Sequence, residues 1–313
     1  MSHETQRSND GMKASWRQFL DVYEPLRADL YRYCRHLTRS PWDAEDMSQD
    51  AMARAYVTLA CMTEPPANPR AWLFRVASNA WLNRVRQARE VLGDGAPHPE
   101  PATEAGQREA REAAGTLIAQ LSPQERAAVV LKDVFDSSLE EISEALGTSV
   151  AAVKAALHRG RSKLVEPTLR APSPVAPVVL DAFCDAFNAA DLERLTALLL
   201  HTATMEFPGV MIEYGAEALR AGSLRSTILG CPEGRYRPAQ PPRCEVRMHR
   251  GEALFLWWVG KEVDAVVHVE LEGDRIARLR NYRHSPELTR EVCRELEVPF
   301  LTHGYGPKLE NEQ

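Results

Sequence analysis

The chain has 313 residues, 44% of them hydrophobic and 26% charged, an ordinary globular balance that excludes wholesale disorder and predicts two or three domains at roughly 100–200 residues each. Its net charge of −6 argues against a uniformly basic nucleic-acid coat but not against basic patches. No apolar run reaches the ~18 residues of a membrane span, and the polar start has no signal-peptide core, so a soluble cytoplasmic protein without membrane association is expected.

In chain order, Phe19, Tyr23, Leu26, Leu30, Tyr33 and Leu37 recur at three- and four-residue spacing, which predicts one long helix with an apolar stripe. Ser40-Pro41-Trp42-Asp43 then opens a second helix: serine caps, proline takes the first position and an acid the third. That helix turns Ala44, Met47, Ala51 and Ala55 inward and leaves Asp46, Gln49 and Asp50 to another surface. A third helix, from about Pro69 to about Arg89, buries Leu73, Val76 and Ala80, with Trp72 on the stripe of Val76. It holds Arg70, Arg75, Arg84, Arg86 and Arg89 with no acid between them. Gly93 to Pro101 combines glycines with prolines and interrupts both helix and sheet.

Beyond it, Leu121-Ser-Pro-Gln-Glu is another capped start, for a helix expected to bury Val130, Leu131 and Val134. Leu139, Ile142 and Leu146 line a short helix that stops at Gly147, and Val150, Val153, Leu157 and Leu164 line the next, which is a helix-turn-helix pattern. The last helix leaves Ala151, Ala152, Lys154, Ala155, His158, Arg159, Arg161 and Lys163 outward or flanking. Small residues early and bases late suit a helix in a major groove, with the cations on phosphates. The plainer alternative is a solvated basic helix in a bundle.

Pro167 to Pro177, with four prolines in eleven residues, is a stiff spacer. A helical opening from Val178 to about Leu200 gives way to strands over 202–207, 244–250, 253–259, 263–271 and 275–283, an α+β pattern. Alternation puts Asp264, His268 and Glu270 on one face, and Arg278, Arg280 and Tyr282 on one face of the next strand. In an enclosed cavity the first three could do acid/base work, whereas a polar or docking sheet would set Glu opposite Arg. His201 and His249 sit at strand edges with no role expected. The six cysteines stand singly, without a C-x-x-C pair, and no His/Cys/Asp cluster has ligand spacing, so neither metal nor cofactor is expected.

The stretch Pro69-Arg-Ala-Trp-Leu-Phe-Arg-Val-Ala-Ser-Asn-Ala-Trp-Leu-Asn-Arg-Val-Arg86 resembles the promoter-reading helix of extracytoplasmic-function (ECF) sigma factors of bacterial RNA polymerase. Asp43 to Tyr56 is similar to that family's polymerase-docking helix, and Leu121 to Arg161 to its C-terminal DNA-binding domain. The resemblance implies a non-enzymatic transcription initiation factor whose partners are core polymerase, through its β′ clamp helices and β flap, and promoter DNA. It implies that Asp46, Met47, Gln49 and Asp50 dock on polymerase, and that Arg75, Asn79, Asn83 and Arg86 contact the melted −10 strand. The loop 61–68 would help to capture a flipped base, with Trp72 and Trp81 as candidate stacking platforms, although Trp72, on the stripe of Val76, reads better as core. Ala151, Ala152, Lys154, Ala155, His158, Arg159 and Arg161 would serve the −35 element, although Ala155-Ala156 stands where many members carry a further arginine.

Residues 178–290 resemble the SnoaL-like branch of the NTF2-like cone fold, fused to some ECF sigma factors as a regulatory domain. The expected organisation is therefore sigma region 2 at 12–90, a linker at 91–112, region 4 at 113–166, a proline-rich linker at 167–177 and an NTF2-like domain at 178–300. For that last domain a small ligand, a partner or a catalytic role stays open, the alternative being a DNA-binding regulator fused to a catalytic or ligand-sensing domain.

Overall fold

The computed structural model describes residues 16–92, 121–163, 178–230 and 240–305. The chain divides near residue 170 into two compact units.

In the first unit, helix α1 covers 16–23, a single 3-10 turn covers Glu24–Leu26, and α2 follows at Arg27–Thr38. The expected single helix is thus two. Pro25 has no N–H to donate, and its ring crowds the carbonyl four residues back. The apolar stripe survives the break, with Phe19, Tyr23, Leu30, Tyr33 and Leu37 all buried. Helix α3, Pro41–Ala60, starts as its sequence demands, Ser40 Oγ accepting the Asp43 N–H at 3.2 Å. Helix α4, Pro69–Leu92, begins where Asn68 Oδ1 accepts the Ala71 N–H at 3.0 Å. Its inner face carries Phe74, stacked on Tyr33, and Ser78, which shares a 2.7 Å hydrogen bond with the Tyr33 hydroxyl.

Helix α5, Pro123–Asp133, opens with a reciprocal capping box: Ser122 accepts the Glu125 N–H, and the Glu125 carboxylate accepts the Ser122 N–H. Ser138 and Glu141 repeat the device at α6, Leu139–Ala145. Gly147, at φ 58°, takes the left-handed turn that ends α6. Helix α7, Val150–Ser162, then starts from its cap Ser149. Val134 departs from expectation: it is 47% exposed, because α5 ends at Asp133 and Val134 serves as its C-cap. The two helical regions lie against each other, Phe135 meeting Tyr33 and Phe74 edge-on at 6.1 and 5.3 Å between ring centres.

The second unit opens with α8, Val178–Asn188, and α9, Leu192–Ala197, where one helix was expected; Ala190, at φ 56°, separates them. Strands β1, Leu199–Phe207, and β2, Met211–Tyr214, precede two short helices, α10 at Ala216–Ala221 and α11 at Ser223–Leu229. Strands β3, Arg243–His249, β4, Glu252–Val259, β5, Glu262–Glu272, and β6, Arg275–Asn281, form a meander ahead of α12, Pro286–Glu295. The sheet order is β2-β1-β6-β5-β4-β3, with β1 and β6 parallel and the other neighbours antiparallel. One sheet face meets the helices through Phe183, Phe187, Met205, Phe255, Trp257, Ala265 and Val267. Helices packed on one face of a mixed sheet make this unit α+β. The sequence pattern missed β2, α10, α11 and α12, all short.

Candidate nucleic-acid interface

Three surfaces of the first unit carry the polar residues singled out above. On α3, Asp46, Gln49 and Asp50 are half-buried along one flank. Gln49 donates to Glu45 Oε1 at 2.7 Å, and Asp50 accepts two hydrogen bonds from Arg54 Nε at 2.9 and 2.8 Å. Val57, 64% exposed, continues that flank one to two turns on. Met47 does not belong to it. At 2% exposure it lies in the core with Ala44, Ala51 and Ala55, since spacings of three, four and eight residues place it on their inward stripe.

On α4, Asn79, Asn83 and Arg86 are exposed and Arg75 is half-buried, four residues that recur on one face at helical spacing. Arg86 Nη2 donates to Asn83 Oδ1 at 3.1 Å, which orients the amide while leaving its N–H₂ outward. Both tryptophans are buried: Trp72, on the core stripe, is 3% exposed and Trp81 5%, so neither offers a free face to a base and Trp81 is corrected as a stacking platform. The loop 61–68 is largely exposed, but Asn68 is committed to capping α4 and lies 3.5 Å from Glu141 Oε1.

On α7, the buried Val153, Ala156, Leu157 and Gly160 seat the helix, and Ala151, Lys154, Ala155, His158 and Arg161 stand exposed opposite, with Ala152 half-buried. Lys132, Leu139, Lys154, His158 and Arg161 line a groove of about 750 Å³. Not every base there is free for a ligand. Arg159 Nε and Lys163 Nζ donate to the buried Glu125 carboxylate at 3.2 and 2.7 Å, and Arg161 Nε donates to Asp133 at 3.2 Å. Burial alone would raise the Glu125 pKa; the Lys163 ammonium, the Ser122 cap and Arg159 outweigh it and hold the carboxyl at about 2. Arg159 therefore neutralises a core acid before it can do anything else.

A residue that sequence reasoning passed over joins these surfaces. Arg126 of α5 donates from Nη1 to the Leu37 carbonyl at 2.7 Å and lies 5.5 Å from the Trp81 ring centre. Burial, with Arg39 nearby, lowers its pKa to about 10. Nothing local marks it, because its partners are 45 and 89 residues away.

In the second unit the candidate acid/base residues are taken up in pairs across the sheet. His268 pairs with Arg280 and Glu270 with Arg278 across β5 and β6. Arg278 and Arg280 both reach Glu206, at 2.5 and 3.1 Å. Asp264 is buried and takes Arg283 at 3.1 Å and His303 at 3.0 Å, and Tyr282 is fully buried. His249 is no idle edge residue: 1% exposed, its Nε2 meets Glu295 of α12 at 2.7 Å, and Arg250 joins the same carboxylate at 2.9 Å. Among the described residues no three metal-binding side chains gather, and no described helix is long and apolar enough to cross a membrane.

Residues 22–91 match the Sigma-70 region 2 family and residues 111–164 the Sigma-70 region 4 family. The RNA polymerase sigma-E factor of Streptomyces coelicolor is 35% identical over 151 residues, spanning 47% of this chain and 84% of that protein. The ECF RNA polymerase sigma factor SigL of Mycobacterium tuberculosis is 31% identical over 143 residues, 44% of this chain and 81% of the relative. The chain belongs to the ECF RNA polymerase sigma factors. Another member, SigG of Mycobacterium tuberculosis, is 32% identical over 234 residues, and this sigma factor spans 63% of its length, a little under two thirds. The crystal structure of SigJ from the same organism covers 86% of this chain and 98% of its own, at 22% identity and a TM-score of 0.35. In this sigma factor α2 to α4 make region 2 and α5 to α7 fall in region 4.

Proposed function

We propose that the protein binds core RNA polymerase and directs promoter-specific initiation, its C-terminal α+β unit modulating that activity. The Asp46, Gln49 and Asp50 flank of α3 docks on the β′ clamp helices, and region 4 engages the β flap. Asn79 and Asn83 read unstacked bases of the −10 strand through paired amide donors and acceptors, while Arg75 and Arg86 hold its backbone. Helix α7 enters the −35 major groove with Ala151, Ala152 and Ala155 near base edges and Lys154, His158 and Arg161 toward phosphates. A loop end of region 2, residues 61–68, accompanies the opened strand.

The observation that carries this reading is the division of α4: two asparagines and an arginine exposed along one face, with Phe74, Ser78 and Trp81 buried on the other. Run-off transcription with purified core polymerase tests it, using the full chain and a chain ending near Leu169. Promoter-dependent transcripts from the full chain are expected, with altered yield from the shorter one. A protein that never associates with core enzyme, or associates and initiates nowhere, would remove the assignment.

A further inference from the structure

The second unit holds a pair of cysteines that the sigma-factor reading does not use. Cys184, on α8, and Cys244, on the edge strand β3, bring their sulfurs to 3.1 Å of each other across 60 residues of chain. That is closer than two thiols in ordinary contact and about 1 Å from the ~2.05 Å of a bond. The approach is built rather than incidental. Asn188, one turn beyond Cys184 on the same helix face, accepts the Cys244 N–H at 2.7 Å and donates to the Cys244 carbonyl at 3.0 Å. One amide therefore occupies both outward main-chain groups of this edge residue and holds β3 in register with α8. Phe183 stacks on Phe255, and Phe187 lies against Trp257, the cross-strand partner of Cys244, so the helix packs on both sides of the pair.

The two sulfurs differ in access. Cys184 is 8% exposed and Cys244 2%, and burial beside Cys184 drives the Cys244 thiol well above its usual range. A small oxidant thus meets Cys184 first, and Cys244 stays protonated beside it. We propose that Cys184 and Cys244 form an oxidisable dithiol, in which a hydroperoxide converts the pair into a disulfide tying α8 to β3. Cys184 sulfur attacks the terminal peroxide oxygen, the O–O bond breaks, and the leaving alkoxide or hydroxide takes the thiol proton, leaving a sulfenic acid on Cys184. Cys244 sulfur then displaces that hydroxyl, which leaves as water with the Cys244 proton. In sum two thiols lose two hydrogens and two electrons, and the peroxide is reduced to an alcohol, or water, plus one water. In a reducing compartment the pair rests as thiols, which makes the bond a transient, signal-dependent modification. This reading is independent of promoter recognition.

The test uses the full-length reduced protein, exposed to hydrogen peroxide while folded. The reaction is stopped with catalase, remaining thiols are blocked with N-ethylmaleimide after unfolding, and the chain is digested without reductant for mass spectrometry. The expected product is a Cys184–Cys244 linked peptide, reversed by dithiothreitol. It should form at least about tenfold faster than in the urea-unfolded chain, because the fold supplies the proximity. The oxidised chain should also unfold several degrees higher, since the link closes a long loop. Recovery of both cysteines as maleimide adducts while exposed Cys61 is oxidised would overturn the proposal. So would accumulation of sulfinic acid on Cys184 without a link, or equal linkage rates in folded and unfolded chains. Because the wild-type protein carries the measurement, no variant has to fold for the answer to be read.

Discussion

The Arg126 guanidinium donates to the Leu37 carbonyl at 2.7 Å while lying over the Trp81 ring. One side chain from the first helix of region 4 thereby ties the end of α2 to the inner face of the helix proposed to read the −10 strand. Its neighbours reinforce the closure: Arg70 lies 5.6 Å from the Phe135 ring, whose edge meets Phe74. About 120 residues packed this way measure roughly 35 Å across by the usual size relation. Promoter elements centred some 25 base pairs apart lie about 85 Å apart at 3.4 Å per pair. If the protein holds both elements at once, as proposed, the closed packing cannot span them and the two regions part on a promoter. Arg126→Ala should favour the open form, because it deletes a charge-assisted hydrogen bond of roughly 1.5–3 kcal/mol. Energy transfer between dyes on α3 and α7 would read this as a longer, broader distance distribution; an unchanged distribution would show that the latch lies elsewhere.

Asn83 and Met47 should separate function from stability. Asn83 is exposed, so Asn83→Ala should leave the unfolding midpoint within about 0.5 kcal/mol of the parent. Its loss of transcription should be about tenfold or more, given the roughly 1–3 kcal/mol of one base contact. Met47 is 2% exposed, and Met47→Ala should cost about 2–5 kcal/mol of stability. If Met47→Ala instead unfolded like the parent and lost only polymerase binding, the burial argument would fail.

Glu125 supplies a pH dependence with a definite sign. Its carboxyl titrates at about 2 in the folded chain, against an ordinary 4.5. The pairing with Lys163 and Arg159 therefore contributes fully above about pH 4.5 and is lost progressively as the pH falls through about 2. The contribution should be no more than about 3.5 kcal/mol, from 1.36 kcal/mol per unit. Chemical unfolding followed from pH 6 to 2 should show region 4 weakening in that window. In Glu125→Gln that component of the slope should flatten, and an equally steep variant would assign the acid sensitivity to another carboxylate.

Gly160 of α7 lies directly against α5. A Cβ there would sit 2.8 Å from Val129 Cγ2 and 3.5 Å from Glu125 Cβ. Valine is stiff about its first torsion and cannot swing away, so overpacking of about 1–3 kcal/mol should exceed the ~1 kcal/mol that alanine gains over glycine in a helix. Gly160→Ala should lower the unfolding midpoint, and Val129→Ala in the same chain should recover part of the loss. Additive losses in the double variant would mean that the two residues do not compete for one space.

Local chemistry is legible in the order of the amino acids alone. Ser40, Ser122 and Ser138 each accept the N–H three residues on, and Gly147 takes a positive φ, because caps and turns depend on residues within about four positions. The exposed faces of α4 and α7 follow the same logic, since a helix with one apolar stripe leaves the rest outward. Other features needed the packed chain. Pro25 broke a helix whose stripe looked continuous, and the short β2, α10 and α11 carry too few residues to show a period. The buried Glu125 of α5 drew Arg159 and Lys163 away from the surface expected to meet DNA. Arg126 found Leu37, and Cys184 found Cys244. Such pairings join residues whose separation along the chain carries no information about separation in space. Periodicity reports which side of an element is apolar; only the meeting of those sides decides which polar and reactive groups become neighbours.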